Sequence, residues 1–340
     1  MAEPSPYTYA QAGVDLDAAS RLKDQLGPIV ASTRRPEVMA DVGPFAGLFR
    51  LHGFRRPLLA ASCDGVGTKA KIAALMGAYE GIGRDLVALN VNDLLTVGAQ
   101  PLFFLDYIAS HGLPPEAKLA LVRGMAEACR RIGCALLGGE TADMPDVYRP
   151  GDFDLAGFVV GVVEEEELID GSAIAAGDLL LGLSSAGLHT NGYSLVRRIF
   201  RVGIDEDPHQ ERRRLEEYVP ELGCTLGEEL LRPHRCYYEE VMAVRKMVRG
   251  IAHVTGGGIQ ANLKRILPPG LRPQIERNAW QAPPIFHLVQ ERGKVPEEEM
   301  WRVFNMGIGM VLVVEPTLYS KVINQVPATV MMGQVVSSPS

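Results

Sequence analysis

The sequence predicts two α/β domains. Three observations predict them. A strand, a glycine loop and a helix recur in that order along the chain; the composition breaks at Glu164-Glu-Glu-Glu-Leu-Ile-Asp-Gly171; and 340 residues are long for one hydrophobic core but comfortable for two. The charged break places the expected division between 1–167 and 168–340.

In chain order, apolar runs predict strands over 58–63, 102–109, 134–137 and 155–163, with helices over 84–98 and 115–132 between them. The second half opens with a strand over 179–184, passes through a glycine loop at 185–192 and enters a helix over 193–201. A charged stretch over 205–217 reads as surface. A helix over 239–248, a strand over 251–255, the loop Gly256-Gly-Gly258, a helix over 261–267 and two last strands near 309–314 and 329–336 complete the reading.

Composition removes several classes of function. A formal net charge of -7 disfavours a nucleic-acid surface, which needs clustered cations to neutralise phosphates. Five cysteines without a C-x-x-C pair fit a reducing compartment, and cytoplasm is the expected location. No apolar run approaches the roughly 20 residues that span a bilayer.

The chemistry concentrates at strand-to-helix junctions. Cys63-Asp-Gly-Val-Gly-Thr-Lys69 has the glycines, threonine and lysine of a phosphate loop but not the spacing of a Walker motif. Backbone N–H groups at such a junction suit an anion, and Lys69 adds a flexible charge for phosphate oxygens. The helix Arg84-Asp-Leu-Val-Ala-Leu-Asn-Val-Asn-Asp-Leu-Leu-Thr-Val97 is apolar nearly all round, so it should be buried. A buried carboxylate at Asp93 must then be paired with a base or held by a cation. Asp64 closes the first strand, Glu140 stands in the apparent turn Gly138-Gly-Glu-Thr-Ala-Asp143, and Asp106 interrupts the apolar strand Phe103-Phe-Leu-Asp-Tyr-Ile108. Carboxylates beside glycine-rich backbone suit magnesium bridging to nucleotide phosphates, with Asp64, Asp93 and Glu140 as the expected metal set. His189 and His253 lie in later glycine loops, where a histidine serves proton transfer or structure, and Cys63 reads as packing.

These pieces resemble the phosphoribosylformylglycinamidine cyclo-ligase family, also called aminoimidazole ribonucleotide synthetases, over nearly the whole chain. The matching stretches include Tyr9-Ala-Gln-Ala-Gly-Val-Asp-Leu-Asp17, Asp64-Gly-Val-Gly-Thr-Lys69, Val91-Asn-Asp-Leu94, Gly98-Ala-Gln-Pro-Leu-Phe-Phe-Leu-Asp-Tyr107 and Gly138-Gly-Glu-Thr-Ala-Asp-Met-Pro145. Later come Ser184-Ser-Ala-Gly-Leu-His-Thr-Asn-Gly-Tyr-Ser-Leu-Val196, His253-Val-Thr-Gly-Gly-Gly258 and Phe304-Asn-Met-Gly-Ile-Gly-Met310. The first-half acids also look like the wider superfamily of thiamine-monophosphate kinase and selenophosphate synthetase, whereas the second-half loops look like the cyclo-ligase. The family more usually has Pro-Thr-x-Ile-Tyr where Pro233-His-Arg-Cys-Tyr237 stands, so the resemblance assigns no role to His234 or Cys236.

The resemblance implies ATP-driven closure of an imidazole ring on a phosphoribosyl substrate, with ATP and Mg2+ as cofactors. It implies a two-domain α/β (α+β) fold whose N-terminal domain contributes strands to a barrel-like core shared by a homodimer, with Tyr9–Asp17 as a lid. Asp64, Gly65, Gly67, Thr68, Lys69, Asn92, Asp93, Asp106, Gly138, Gly139 and Glu140 are the expected nucleotide contacts. Gly187, His189, Thr190, Asn191, Gly192, Thr255, Gly256, Gly257 and Gly258 are the expected substrate contacts, and Lys69, Asp93 and His253 the expected catalytic residues. Two other functions fit the same acids: a related ATP-dependent phosphoryl-activating enzyme, and a nucleotide-binding scaffold without catalysis.

Overall fold

Two antiparallel-dominated sheets, each with its own helices, build the molecule. The structure is a computed structural model and describes residues 16–39, 45–204 and 207–338. Most of the expected lid, Tyr9 to Asp15, lies outside the described residues.

The first sheet contains β1 (Pro57–Gly65), β2 (Gln100–Ser110), β3 (Ala135–Asp143) and β4 (Phe153–Glu164), in the order β1-β4-β2-β3. Only β2 and β3 run parallel. Four helices belong to it: α1 (Leu16–Ala31), α2 (Lys69–Met76), α3 (Tyr79–Leu95) and α4 (Pro115–Arg131). Helices α3 and α4 cross backbone on backbone at Gly83 and Gly124, where any Cβ would overlap the Leu121 and Glu80 carbonyls. A larger residue at either position would force the two helices apart.

The second sheet contains β5 (Leu179–Ser184), β8 (Gly250–His253), β9 (Leu271–Ile275), β10 (Ile308–Val314) and β11 (Thr329–Ser337), in the order β8-β10-β5-β11-β9. Between β5 and β8 lies a short hairpin, β6 (Tyr218–Val219) and β7 (Cys224–Thr225). The helices of this half are α5 (Tyr193–Phe200), α6 (Pro208–Glu216), α7 (Leu226–Leu230), α8 (Tyr238–Val244), α9 (Gly258–Lys264), α10 (Pro284–Gly293), α11 (Glu297–Val303) and α12 (Tyr319–Gln325). The charged stretch expected as plain surface folds into α6, whose Asp207 side chain caps it by accepting from the His209 N–H.

One hydrophobic core runs across the junction of the halves. It joins Leu86, Leu89 and Val91 of α3 to Leu181, Leu183, Ile251, Met310 and Leu312 of the second sheet. That position explains why α3 is apolar nearly all round: it has the first sheet and α4 on some sides and the second half on another. In the first sheet, β1 is a nine-residue edge strand with Leu59 64% exposed and Leu58 also exposed, beside the exposed Phe158 of its neighbour β4.

Two local expectations change. Gly138 to Asp143 do not form a turn; they continue β3, paired with β2 from Leu105 to Ser110. Backbone pairing outweighed the turn signal of two adjacent glycines. Cys63 is exposed rather than buried, because β1 is an edge strand.

Candidate functional site

The first glycine loop ends beside the second half. Gly65 donates its N–H to Asp64 Oδ1 at 2.7 Å, and Thr68 Oγ1 lies 3.4 Å from Ser194 Oγ on α5. A Cβ on Gly67 would sit 4.0 Å from the Thr190 carbonyl, so Gly67 and Thr68 face the loop 187–192 and the start of α5. That second loop is tied to the third: the Gly256 N–H donates to Asn191 Oδ1 at 3.0 Å. Asn262 braces the third loop from within α9, donating Nδ2 to the Gly258 carbonyl at 2.9 Å, while Thr255 Oγ1 lies 3.4 Å from Asn262 Oδ1. Asn305 braces the second, donating Nδ2 to the Gly187 carbonyl at 2.9 Å. The three glycine loops therefore meet across the junction.

Asp93, His253, His234 and His189 form a connected cluster at this seam. His253 Nδ1 lies 2.7 Å from Asp93 Oδ1, and Ser62 Oγ donates to Asp93 Oδ2 at 3.2 Å. The Asp93 side chain is 36% exposed and that of His253 only 2%. Both line a cavity of about 440 Å³ that also takes in Ser62, Thr96, Asn262 and Arg265. His189, at φ 60°, accepts the Ala186 N–H at Nε2, which leaves a buried Nδ1 with no protein partner among the described residues. Burial, reinforced by the neighbouring charges of His253, Lys69 and Arg235, holds His189 well below the usual histidine range. Asp64 is raised above the ordinary carboxylate range by crowding against protein and by the Asp93 charge, with the Gly65 N–H and His253 opposing.

Lys69 is a correction. Its side chain is fully buried, with Nζ 2.6 Å from Asp85 Oδ2 and donating to the Arg232 carbonyl at 2.7 Å. An ammonium so held is not a free arm for ATP phosphates. It balances Asp85, which burial pushes up and Lys69 pulls down.

The expected magnesium ligands Asp64, Asp93 and Glu140 do not converge on one ion. Asp64 lies opposite Gly157 on β4, Gly157 opposite Asp106 on β2, and Asp106 opposite Gly139 on β3. Three strand spacings, about 14 Å of backbone, therefore separate Asp64 from the neighbourhood of Glu140. Carboxylates sharing one ion must converge within a few ångströms. Among the described residues, no group of three or more His, Cys, Asp or Glu is placed to hold a metal. The acids instead form two pairs. Asp64 and Asp93 stand at the seam, whereas Asp106 and Glu140 line a separate cavity of about 360 Å³ under α1, with Gly138, Gly139 and the Lys118–Asp143 ion pair. Burial, with the Glu140 charge adding to it, lifts Asp106 to about 7.

The sequence reading missed Asp85 and, through the resemblance, expected Asn92 to contact the nucleotide, whereas Asn92 is fully buried with its amide engaged by protein groups. The two stand seven residues apart on α3 and together hold the segment 234–237: Asp85 Oδ1 accepts the His234 N–H, and Asn92 accepts the Tyr237 N–H and donates to the Arg235 carbonyl. Polar residues at that helical spacing in an otherwise apolar helix were the available signal.

Two family models match the chain: AIR synthase related protein, N-terminal domain, over residues 46–163, and its C-terminal domain over residues 175–338. The chain belongs to the AIR synthase related family. Similar family members include the phosphoribosylformylglycinamidine cyclo-ligase of Carboxydothermus hydrogenoformans, 51% identical over 91% of this chain and 89% of that protein. The enzyme of the same name from Syntrophotalea carbinolica is 46% identical over 93% and 90%. Among solved structures, the hydrogenase maturation protein HypE in complex with ATP aligns with a TM-score of 0.68 at 15% identity, over 96% of this chain and 89% of that one. Thiamine-monophosphate kinase from Stenotrophomonas maltophilia gives 0.66 at 14%, over 96% and 95%. The family fold thus extends over both halves, as the sequence motifs implied.

Proposed function

We propose that this chain closes the imidazole ring of formylglycinamidine ribonucleotide, forming aminoimidazole ribonucleotide and releasing ADP and phosphate, in keeping with relatives named phosphoribosylformylglycinamidine cyclo-ligase. The observation that carries the reading is the meeting of the Asp64–Thr68, Gly187–Gly192 and Thr255–Gly258 loops beside the Asp93–His253 pair. Backbone donors of the glycine loops suit the two phosphate-bearing ends, ATP and ribose 5-phosphate. The formyl oxygen attacks the γ-phosphorus, and ADP leaves. The amine nitrogen then attacks the activated carbon, the C–O bond to phosphate breaks, and the nitrogen gives up a proton. We assign acceptance of that proton to the Asp93–His253 pair, whose Nδ1–Oδ1 contact is 2.7 Å.

Mg2+ enters this reading with the nucleotide, whose phosphate oxygens supply most of its ligands. Asp64 fits as the protein carboxylate, since among the described residues its side chain accepts only the neighbouring Gly65 N–H, whereas Asp93 is engaged by His253 and Ser62. The ion would offset negative charge on the phosphates. Asp106 and Glu140, with Gly138 and Gly139, form a second acidic site, where a nucleotide's phosphates would need a cation between them and the carboxylates.

A homodimer is part of the proposal, because a long apolar edge strand such as β1 is a liability unless another chain covers it. So is a cytoplasmic location; no helix among the described residues is long and apolar enough to cross a membrane. The division at 167/168 falls in the link between the two sheets and is kept as the working boundary. ADP release measured with ATP and Mg2+, with and without formylglycinamidine ribonucleotide, tests the function. Stimulated release with aminoimidazole ribonucleotide as product supports it. Stimulation without that product would favour another phosphoryl-activating enzyme, and no stimulation would leave a nucleotide-binding scaffold.

A further inference from the structure

The proposed reaction brings two phosphate-bearing molecules to one seam. A phosphate monoester carries about −1.5 to −2 charges at neutral pH, and the Asp93 carboxylate already stands in the cavity beside the loops. A cation is needed there as well as backbone N–H groups. The side-chain cations flanking the second loop are committed elsewhere. Lys69 is held by Asp85 at 2.6 Å, Arg232 by Glu229 at 2.8 Å and Arg235 by Glu240 at 2.5 Å.

Arg265 differs from all three. It follows α9 directly and keeps helical dihedrals, φ −68° and ψ −23°, so Asn262, Arg265 and Ile266 share one face of the helical turn. That face lines the cavity of about 440 Å³ that also holds Ser62, Asp93 and His253. The residue is exposed, and among the described residues it makes no ion pair; its Nη1 lies 3.4 Å from Asn262 Oδ1, a neutral amide. The same Oδ1 lies 3.4 Å from Thr255 Oγ1, while Asn262 Nδ2 donates to the Thr255 carbonyl at 3.3 Å and to that of Gly258 at 2.9 Å. One buried amide therefore links the guanidinium to the third glycine loop.

We propose that Arg265 is the side-chain anchor for the 5-phosphate of the ribonucleotide substrate, held beside Thr255 and the 256–258 loop, which leaves residues 64–68 to ATP. The substrate's identity rests on the ring-closure reading. The guanidinium presents paired donors that match two phosphate oxygens. Its separation from Asp93 matters, because phosphate oxygens must stay clear of that carboxylate. Arg265 enters the cavity from α9 and Asp93 from α3, with no ion pair between them among the described residues. The cavity volume falls within the range of about 300–1,000 Å³ usual for small-molecule sites, so phosphate and reacting end fit one enclosure.

Calorimetric titration of the ligand-free protein with ribose 5-phosphate, and with ribose as the uncharged control, reads the subsite without turnover. Wild type should bind the phosphate ester in preference to ribose. Arg265→Gln should weaken that binding by about tenfold to a hundredfold, the loss of a charge-assisted hydrogen-bond pair, and Arg265→Lys should recover part of it by returning the charge without the fork. In turnover, the KM for formylglycinamidine ribonucleotide should rise by a similar factor in Arg265→Gln, with kcat and the KM for ATP changed less than about twofold. A purely structural role is the alternative, since a cation at the end of a helix complements its dipole. It predicts a lower melting temperature with unchanged ribose 5-phosphate binding, and that result would overturn the proposal. So would equal binding of ribose and ribose 5-phosphate by the wild type, or a rise in the KM for ATP in place of the ribonucleotide. Arg265-dependent binding in a protein that forms no aminoimidazole ribonucleotide would keep the phosphate subsite and remove the ring-closure reading; full turnover with Arg265-independent binding would do the reverse.

Discussion

Substituting Lys69 by Met decides between two uses of the opening loop's lysine. As a phosphate contact, it would be needed for turnover and dispensable for folding. The structure instead buries Nζ against Asp85 Oδ2 at 2.6 Å, in the same network that holds the His234 N–H. Methionine keeps the length and apolar stem but leaves Asp85 buried without its counter-charge. Breaking a buried pair from one side costs about 3–5 kcal/mol. At about 2–4 °C per kcal/mol for a unit of 150–250 residues, the melting temperature should fall by about 6–20 °C. The loss should be smaller at acid pH. Burial already raises Asp85, and removing Lys69 raises it further, so the folded variant binds a proton that the unfolded chain releases; its stability therefore falls as pH rises. Pairing Lys69→Met with Asp85→Asn removes the uncompensated charge and should recover much of the loss. Calorimetry across pH, with urea unfolding for the free energies, measures all of this. A Lys69→Met protein that melts with the wild type and yet binds ATP far more weakly would refute the buried-pair account and restore the phosphate contact.

Asp106 gives a second pH signature. Its folded value near 7 lies above the unfolded 3.8, so its contribution to stability is full below about 4 and lost as pH rises to 7. Urea titrations of the ligand-free protein should show that slope, up to about 1.4 kcal/mol per pH unit, and Asp106→Asn should flatten it; an unchanged slope would mean that Asp106 is not the group. Gly192 sits at φ 78°, and a Cβ there would overlap the Phe304 ring. Gly192→Ala should cost about 2–4 kcal/mol from backbone strain and overpacking together and raise the KM for the phosphoribosyl substrate; a neutral result would show that the loop adjusts freely. Leu59→Lys, on the exposed edge of β1, should shift sedimentation toward the monomer at micromolar concentration, and an unchanged mass would move the proposed dimer interface elsewhere.

Much of the fold was legible because periodicity and punctuation report local structure. The strand 179–184 was read to the residue, and the helix 115–132 ended within one of α4. The glycines at 138 and 139 misled because pairing with β2 is a long-range decision that no six-residue window contains. The site divides the same way. A helix apolar nearly all round announced that α3 is buried and that an acid in it needs a partner, yet it could not say which acid. Asp93, the one the pattern singled out, keeps a side chain 36% exposed and serves His253, while Asp85, eight residues earlier, is the buried one.

What separates the two acids is the chain some 150 residues further on. The segment 234–237 lies on the face of α3 that carries Asp85 and Asn92, takes their hydrogen bonds, and brings the Arg232 carbonyl to Lys69 and the His234 ring to His253. A buried charge is tolerated only where its partners are supplied, and here the second half supplies them. The opening loop is therefore anchored from behind by the second half at Lys69, while Gly67 and Thr68 lie beside Thr190 and Ser194. This division of labour accounts for the departure from Walker spacing. On the proposed function, a loop whose lysine is spent on holding two domains together would meet phosphate through its backbone N–H groups, and its aspartate would do so only through a bound cation.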